Sequence, residues 1–162
     1  MKIGVISDSH NLLRAEVLEA LQGCAYILHA GDISKKEILD KLNTIAPVYA
    51  VRGNNDKEWA CYLPQYLDME IDGLRIFMTH KKKDLPEDLS PYGLVVYGHS
   101  HKFDLKEKKR NVILNPGSCG PRRFDQDITM AVLKVNKSGI QVKKILIPHE
   151  PEDSSRTKKS IA

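Results

Sequence analysis

The first fifty residues alternate short apolar segments with segments whose apolar residues recur at helical spacing, and this alternation limits the fold most strongly. The apolar segments are short and rich in β-branched residues, as is typical of buried strands: KIGVIS, AYILHAG and VYAVRG. LLRAEVLEALQ follows the first of them and places Leu13, Val17 and Leu21 on one helical face. Such a chain is predicted to fold as β-α-β-α-β, with parallel strands joined by right-handed crossovers.

Local signals predict where the two helices begin and end. Asn11 is predicted to cap the first helix, and Gly23 is predicted to end it. In the second helix, Ser34 and Glu37 have the spacing of a capping box, and Pro47 marks the end.

The second half of the chain reads as strands joined by turns. Its apolar segments are YLDMEIDGLRIFMTH, LVVYGH, FDLKEKKRNVILNPG and ITMAVLKVNKSGIQVKKILI. Asp72-Gly73 and Ser138-Gly139 are predicted hairpin turns, and residues 83–92 are predicted to form another short helix. We therefore predict a mixed α/β fold, in which parallel units lead into a β-rich, more antiparallel half with helices outside the sheets.

The composition fits one globular domain of a cytoplasmic protein. Of the 162 residues, 41% are hydrophobic, and the apolar runs are far shorter than the roughly 20 residues needed to cross a bilayer. The chain starts without the pattern of a secretory signal, and three cysteines are too few for a disulfide framework. We predict a single domain over residues 1–148, followed by a polar, flexible tail over residues 149–162.

The charge balance gives little indication of a polyanionic partner. The chain carries 25 basic and 21 acidic residues, and a net charge of +4 is too small to indicate nucleic-acid binding. Basic runs at residues 81–83 and 106–110 are interpreted as exposed surface, with attraction of an anionic substrate as the alternative.

Seven polar residues of metal-ligating type follow the predicted strands directly. They are Asp8, His10, Asp32, Asn54, His80, His99 and His101. Because ligands of open α/β sheets bind at the carboxyl ends of the strands, these side chains are expected to form one site. Carboxylate, imidazole and amide ligands suit Mn²⁺, Fe²⁺, Ni²⁺ or Zn²⁺. Seven ligands exceed the need of one ion and are right for two ions that share a carboxylate.

The order of these residues resembles that of the calcineurin-like metallophosphoesterases. The shared blocks are D-S-H at residues 8–10, G-D at 31–32, G-N-N-D at 53–56, T-H at 79–80 and G-H-S-H at 98–101. The small size and the later N-P-G-S look most like the short YfcE-like phosphodiesterase branch. The resemblance covers residues 1–148 and implies two sheets packed as a β-sandwich and flanked by helices.

The resemblance also implies a dinuclear metal centre. It assigns the first metal to Asp8, His10, Asp32 and His101, and the second to Asp32, Asn54, His80 and His99. Mn²⁺ is the expected metal, with Ni²⁺, Fe²⁺, Zn²⁺ and Mg²⁺ as alternatives. A hydroxide that bridges the two ions would attack phosphorus in line with the leaving oxygen. The predicted catalytic residues are Asp32, His99 and Asn55.

Two positions depart from the pattern of the family. Asn55 stands where many members have a histidine that protonates the leaving group, and an amide can donate a hydrogen bond there but not a proton. Lys81 stands where the branch usually has glycine, and exposure of its ammonium group to solvent is the alternative to a substrate contact. Both are predicted to contact substrate, as are Asn115 and Ser118 of the N-P-G-S segment, for which a plain turn is an equal interpretation.

Two polar residues near the ligands are given supporting roles. Asp56 is interpreted as a group that stabilises its loop or orients a ligand. His29 lies three residues before Asp32, so it is expected on the opposite face of its strand, in the core or behind the site.

The predicted function is hydrolysis of a small phosphodiester, with a nucleotide-derived substrate as a candidate. Two ions, two aspartates and one hydroxide leave about one positive charge, which matches the single negative charge of a diester. A phosphomonoesterase with the same site is the alternative, because nearby cations can balance a dianion. A non-catalytic scaffold like the retromer subunit Vps29 is a third possibility. The chain is expected to be a monomer or a homodimer.

Overall fold

Two five-stranded sheets form the frame of the protein in a computed structural model that describes residues 1–123 and 125–148. The strands of the first sheet are β1 (Lys2–Ile6), β2 (Tyr26–His29), β3 (Val48–Ala50), β9 (Ile128–Asn136) and β10 (Gly139–Ile147). The strands of the second are β4 (Tyr66–Ile71), β5 (Leu74–Thr79), β6 (Leu94–Val96), β7 (Phe103–Glu107) and β8 (Val112–Pro116). The helices are α1 (Ala15–Ala20) and α2 (Lys36–Asn43), with short 3-10 turns at Glu58–Ala60 and Lys82–Asp84.

The first sheet confirms the predicted β-α-β-α-β unit and extends it. Its order is β10-β9-β1-β2-β3, in which β1, β2 and β3 run parallel. The β9–β10 hairpin returns from the end of the domain and pairs antiparallel with β1. Both Asp72-Gly73 and Ser138-Gly139 lie at hairpin turns, and Asp72 and Gly73 have the positive φ values, 49° and 85°, that such turns require.

The second sheet is less antiparallel than the sequence predicts. Its order is β4-β5-β6-β8-β7, and the central pairs β5–β6 and β6–β8 are parallel, whereas the pairs at its two edges are antiparallel. The parallel pairing turns the carboxyl ends of β5 and β6 toward the same edge, so that His80 and His99 emerge side by side.

The core confirms a two-sheet sandwich with helices on its outside. Side chains of both sheets, such as Val5, Leu28 and Met78, are fully buried in one cluster between the sheets. On the opposite face of the first sheet, Ile6 and Ile27 pack in a cluster with residues of both helices. Burying these two faces supplies the main stabilisation of the fold, at about 25 cal/mol for each Å² of apolar area removed from water.

The predicted beginnings of the helices are wrong. The first helix begins at Ala15 and not after Asn11, because the N–H of Asn11 donates to the carbonyl of Ile33 and Asn11 has a φ of 66°. The capping box is also wrong: Ser34 has a φ of 85°, its N–H donates to the Asp56 carboxylate, and no side chain caps the second helix. In both places, contacts with distant loops replace the local signal.

The short helix predicted at residues 83–92 is absent from the described chain, apart from the 3-10 turn at Lys82–Asp84. Leu85 and Leu89 of this segment pack instead against Phe77 and Tyr92 on the outer face of the second sheet. The predicted tail, residues 149–162, lies outside the described residues. Within the residues described, no helix is long and apolar enough to cross a membrane.

Candidate metal centre

Six of the seven predicted ligands gather into two clusters at one edge of the sandwich. The first cluster consists of Asp8, His10 and His101, and the second of Asp32, His80 and His99. Within each cluster, one nitrogen or oxygen atom of every residue lies within 4.8 Å of the others. The seventh residue, Asn54, is exposed and lines the same cleft as His80.

The same kind of backbone strain recurs in the loops that carry the ligand candidates. Five ligand candidates have a positive φ, between 44° and 76°, which non-glycine residues rarely adopt: Asp8, His10, Asp32, His99 and His101. Each such residue costs of order 1–3 kcal/mol unless its surroundings hold it in place. The strain turns side chains from three different loops toward one point, and such outliers concentrate at functional sites.

The Asp8 carboxylate is held from one side and left free on the other. The Ser7 hydroxyl donates to Oδ2 at 2.6 Å, and the His99 N–H donates to the same oxygen at 3.1 Å. Oδ1 is buried without a hydrogen-bond partner, and Nε2 of His101 lies 3.4 Å from it. These contacts orient Oδ1 toward the centre of the site.

Asp32 lies between the two clusters. Its Oδ2 is 3.3 Å from Nε2 of His80 in its own cluster and 3.7 Å from Nε2 of His10 in the other. Asn55 contacts the same carboxylate twice, with its backbone N–H donating to Oδ1 at 2.8 Å and its side-chain amide to Oδ2 at 3.1 Å. A shared carboxylate between two ions needs this intermediate position.

Buried atoms without partners show that the residues fit metal ions. Oδ1 of Asp8 and Nε2 of both His10 and His80 are buried and form no hydrogen bond. Leaving a polar group buried and unpaired costs about 1–3 kcal/mol. Three such atoms that converge from two loops form a donor set for a divalent cation, and the carboxylate–imidazole chemistry suits a transition ion.

At four of the ligand candidates, the electrostatic environment favours the protonation state that binds metal. Burial acts to raise the pKa of both Asp8 and Asp32, but contacts with nearby histidines and hydrogen-bond donors outweigh burial and hold both pKa values low. Burial lowers the pKa of His10 and of His99, and the charge of Lys81 contributes at His99. Metal binding requires anionic carboxylates and neutral imidazoles, and the directions at these four residues supply both. His80 differs: burial acts to lower its pKa, but contacts with Asp32 and Asp8 outweigh burial and raise it, so a metal at Nε2 competes there with a proton.

Asp56 ties two of the ligand loops together. Its buried carboxylate accepts hydrogen bonds from four backbone N–H groups, those of Asp32, Ile33, Ser34 and Gly53, at 2.8–3.0 Å. These contacts agree with the interpretation of Asp56 as a loop-stabilising group.

The loops also approach each other closely at Gly53. A Cβ added there would clash with the backbone and side chain of Asp32, so only glycine allows the approach.

His29 lies behind the site, in the core. It is fully buried, its Nδ1 accepts from the Gly31 N–H at 3.1 Å, and its Nε2 lies 2.9 Å from the Ser9 hydroxyl. Because Nδ1 accepts, Nε2 carries the proton and donates to Ser9. Burial lowers the pKa of His29 to about 4, so the ring is neutral at pH 7.

The predicted substrate contacts fall into two groups. Asn55 and Lys81 lie at the edge of the site, where Asn55 is exposed and Lys81 is half-buried. Asn115 is fully buried, its amide donates to Gly98 and Ser100, and its oxygen accepts from the Gly117 N–H.

The Ser118 hydroxyl is also buried, and it donates to the Asp8 carbonyl at 3.1 Å. The plain-turn interpretation therefore describes Asn115 and Ser118 better than substrate contact, because hydrogen bonds inside the protein occupy their polar atoms.

Ser7 and Gly98 also support the site, although their sequence context does not predict this role. Ser7 donates to Asp8, and a Cβ on Gly98 would clash with the Ser7 hydroxyl and approach the Asp8 carboxylate. Ser7 directly precedes Asp8 in the chain, but a serine at the end of a strand has no pattern that distinguishes this role.

Sequence comparisons place the chain among phosphoesterases. Residues 1–138 match the calcineurin-like phosphoesterase superfamily domain. The chain is 34% identical over 150 residues to a protein named "probable metallophosphoesterase" from Methanothermobacter thermautotrophicus, a match that covers 84% of this chain and 87% of that protein. It is 28% identical over 140 residues to a phosphodiesterase of Methanocaldococcus jannaschii, covering 74% and 84% of the two chains.

Solved structures share the fold. That of an archaeal phosphodiesterase superposes with a TM-score of 0.77 at 25% identity, and the match covers 91% of this chain and 100% of the other. The phosphoesterase YfcE of E. coli reaches a TM-score of 0.67 at 23% identity, over 91% and 100% of the two chains. Zinc-bound Vps29 from Entamoeba histolytica reaches 0.68 at 22% identity, over 90% and 99%.

At the identities of YfcE and Vps29, the likeness shows the fold alone. The matched superfamily domain, by contrast, contains every residue of both clusters. The chain belongs to the calcineurin-like phosphoesterase superfamily.

Proposed function

We propose that this protein is a metal-dependent phosphodiesterase with two divalent ions. The observation that carries the proposal is the convergence of three unpaired buried atoms, Oδ1 of Asp8 and Nε2 of His10 and His80, from two clusters that meet at Asp32. The names of the archaeal relatives, a metallophosphoesterase and phosphodiesterases, support the choice of reaction.

The ligands divide between the two ions by cluster. Asp8, His10 and His101 would hold one ion, while His80, His99 and Asn54 would hold the other. Asp32 would contact both ions, because its Oδ2 faces both clusters. When bound, such a pair of ions supplies an acidified water for in-line attack on phosphorus and positive charge for the phosphoryl oxygens. Mn²⁺ is our proposed metal, since the donor set combines carboxylate, imidazole and amide.

Asn55 is proposed to contact the substrate. Its side-chain amide lies beside the Asp32 carboxylate and the residue is exposed, so it can donate a hydrogen bond to a phosphoryl or leaving-group oxygen. The N–H of an amide is too weakly acidic to transfer its proton, so the enzyme is expected to favour diesters with good leaving groups. Asn115 and Ser118 are proposed to position the loops that carry Asp8 and Gly98.

The experiment begins with protein stripped by a chelator. Mn²⁺ is added back, and hydrolysis of the diester bis(p-nitrophenyl) phosphate and of the monoester p-nitrophenyl phosphate is measured in parallel. The same assays are then repeated with Ni²⁺, Fe²⁺, Zn²⁺ and Mg²⁺ in place of Mn²⁺. We expect metal-restored turnover that favours the diester. Asp8→Asn should abolish turnover, whereas Asp40→Asn, at an exposed pair with Lys36, should leave it unchanged.

The two alternatives predict different results. Preference for p-nitrophenyl phosphate would make the protein a phosphomonoesterase. No turnover with any of the five metals would overturn the enzyme proposal and favour a scaffold of the Vps29 kind.

A further inference from the structure

A cleft lined by basic residues and by one tyrosine adjoins the candidate metal centre. Its volume is about 660 Å³. Its lining includes Asn54 and His80, which are ligand candidates, and Tyr66. The cleft therefore has room for a substrate group larger than the phosphate that the metal centre would hold.

Tyr66 offers a flat, prepositioned surface. Its side chain is 57% exposed, although tyrosine has a large apolar ring. The ring stacks on Phe77 with centroids 5.4 Å apart and an interplanar angle of 14°. Tyr66 pairs with Thr79 in the β4–β5 ladder, which places it one residue from the strand end that carries His80. Stacking on Phe77 holds the ring in place before any ligand binds.

Three cations line the same cleft: Arg52, Lys81 and Lys83. Among residues 1–123 and 125–148, no carboxylate lies within 4.0 Å of their charged nitrogens. The lining contains two carboxylates, Asp56 and Asp84. Four backbone N–H groups donate to the carboxylate of Asp56, so Asp84 is the one that remains available to pair with these cations. The cleft thus carries uncompensated positive charge.

The position of Arg52 is fixed by the protein. Its Nε donates to the Asp56 carbonyl at 3.3 Å, and its own N–H donates to the Pro64 carbonyl at 2.9 Å. A half-buried guanidinium held at one nitrogen keeps its other N–H groups for an anion, and its planar fork matches phosphate geometry.

We propose that this cleft binds a nucleotide unit of the substrate. The base stacks on Tyr66, and a second phosphate, beyond the one that is hydrolysed, pairs with Arg52 and Lys81. The substrate class is a nucleotide phosphodiester of dinucleotide size that carries an additional phosphate. This inference rests on the proposed function, because it extends the same site to a substrate group.

The physical argument combines shape with charge. A flat ring and a fixed cation in the lining of one cleft recognise a ligand that has both a planar base and a phosphate. Stacking of one base on an aromatic side chain contributes about 1–3 kcal/mol. This value corresponds to about a tenfold to hundredfold effect on binding.

The first test measures binding without metal and without turnover. Chelator-stripped protein is titrated with adenosine 5′-monophosphate, with adenosine and with ribose 5-phosphate. Adenosine 5′-monophosphate should bind at least about tenfold more tightly than either fragment. Tyr66→Ala should weaken its binding by about tenfold to hundredfold, while Tyr66→Phe should bind within about threefold of the wild type.

The matched control is Tyr62→Ala, which removes a tyrosine of similar exposure, 60%, outside the cleft. This variant should bind like the wild type. Arg52→Gln should remove the advantage of adenosine 5′-monophosphate over adenosine. Equal affinity of Tyr66→Ala and the wild type, or no binding by the wild type at millimolar ligand, would overturn the inference.

The second test separates this inference from the proposed function. Mn²⁺-loaded protein is assayed with a 5′-phosphorylated diadenosine dinucleotide and with methyl p-nitrophenyl phosphate, and the ratio of the two kcat/KM values is recorded. Tyr66→Ala should lower this ratio by about tenfold or more. An unchanged ratio would overturn the nucleotide assignment, whereas no hydrolysis of either diester by the wild type would overturn the phosphodiesterase itself.

Discussion

Nδ1 of His80, which follows β5 of the second sheet, lies 2.7 Å from the backbone carbonyl of Ala30, which follows β2 of the first sheet. A carbonyl only accepts hydrogen bonds, so Nδ1 must carry a proton and donate. In the neutral ring, the lone pair of Nε2 then faces the Asp32 carboxylate 3.3 Å away. This contact fixes both the tautomer and the orientation of His80 before any metal binds.

Removing His80 should empty one of the two proposed metal positions. We expect His80→Ala to bind about one Mn²⁺ per chain where the wild type binds two, because the first cluster keeps Asp8, His10 and His101. The metal content is measured after equilibrium dialysis. Asp68→Asn, an exposed carboxylate on β4, serves as the control and should bind two ions. Two ions in the His80 variant would contradict the assignment of His80 as a ligand.

Asp56→Asn should destabilise the protein although it removes only a charge. An amide offers two N–H donors where the carboxylate oxygen accepts from the backbone, so two of the four hydrogen bonds become repulsive contacts. Hydrogen bonds to charged groups contribute about 1.5–3 kcal/mol each, and for two of them we expect a loss of about 3–6 kcal/mol in the free energy of unfolding. Urea denaturation measures this loss. Asp40→Asn, at an exposed ion pair, should change it by less than about 0.5 kcal/mol.

His29 should make the metal-free protein sensitive to mild acid. Its folded pKa is about 4, below the unfolded value of 6.5, so the ring adds stability that is fully present above pH 6.5 and is lost as the pH falls toward 4. From pH 7 to pH 5, the loss should be about 2 kcal/mol. Denaturation of chelator-treated protein at the two pH values measures it. His29→Asn, whose side-chain oxygen can still accept from Gly31, should show a smaller difference between the two pH values; an equal difference would assign the effect to other groups.

Asn55→His tests the missing general acid. A histidine at this position can donate a proton to the leaving oxygen, a role typically worth about 10²–10⁴-fold. The variant should hydrolyse diesters with poor leaving groups at least about tenfold faster, with little gain on nitrophenyl esters. The rates are compared over a series of leaving groups of increasing pKa. A variant that gains nothing on the poor leaving groups would show that proton donation does not limit the reaction.

Several parts of the fold and the site follow from local sequence. Period-2 and period-3.6 patterns predict the strands and the two helices, because each depends on neighbours within a few residues. Asp72-Gly73 forms its hairpin for the same reason: both residues adopt the positive φ that the turn needs. The ligand candidates were found because they directly follow strands whose carboxyl ends share one edge of the fold.

Contacts between distant loops decided what the local patterns did not. Asn11 and Ser34 have good capping side chains, but their backbone N–H groups are bound by Ile33 and Asp56, so both helices begin later. Asn115 has polar atoms that are suited to a substrate contact. It is buried, however, and its side-chain amide donates to the carbonyl of Gly98 instead.

The sequence by itself determined the element types, the fold class and the set of metal-capable residues, because these depend on short-range periodicity and on position after a strand. Only the tertiary structure decided the parallel pairing within the second sheet and the division of the ligands into two clusters that meet at Asp32. It also placed Tyr66 on Phe77 beside the cleft. These features depend on pairing and packing between residues far apart in the chain, for which the local sequence carries no signal.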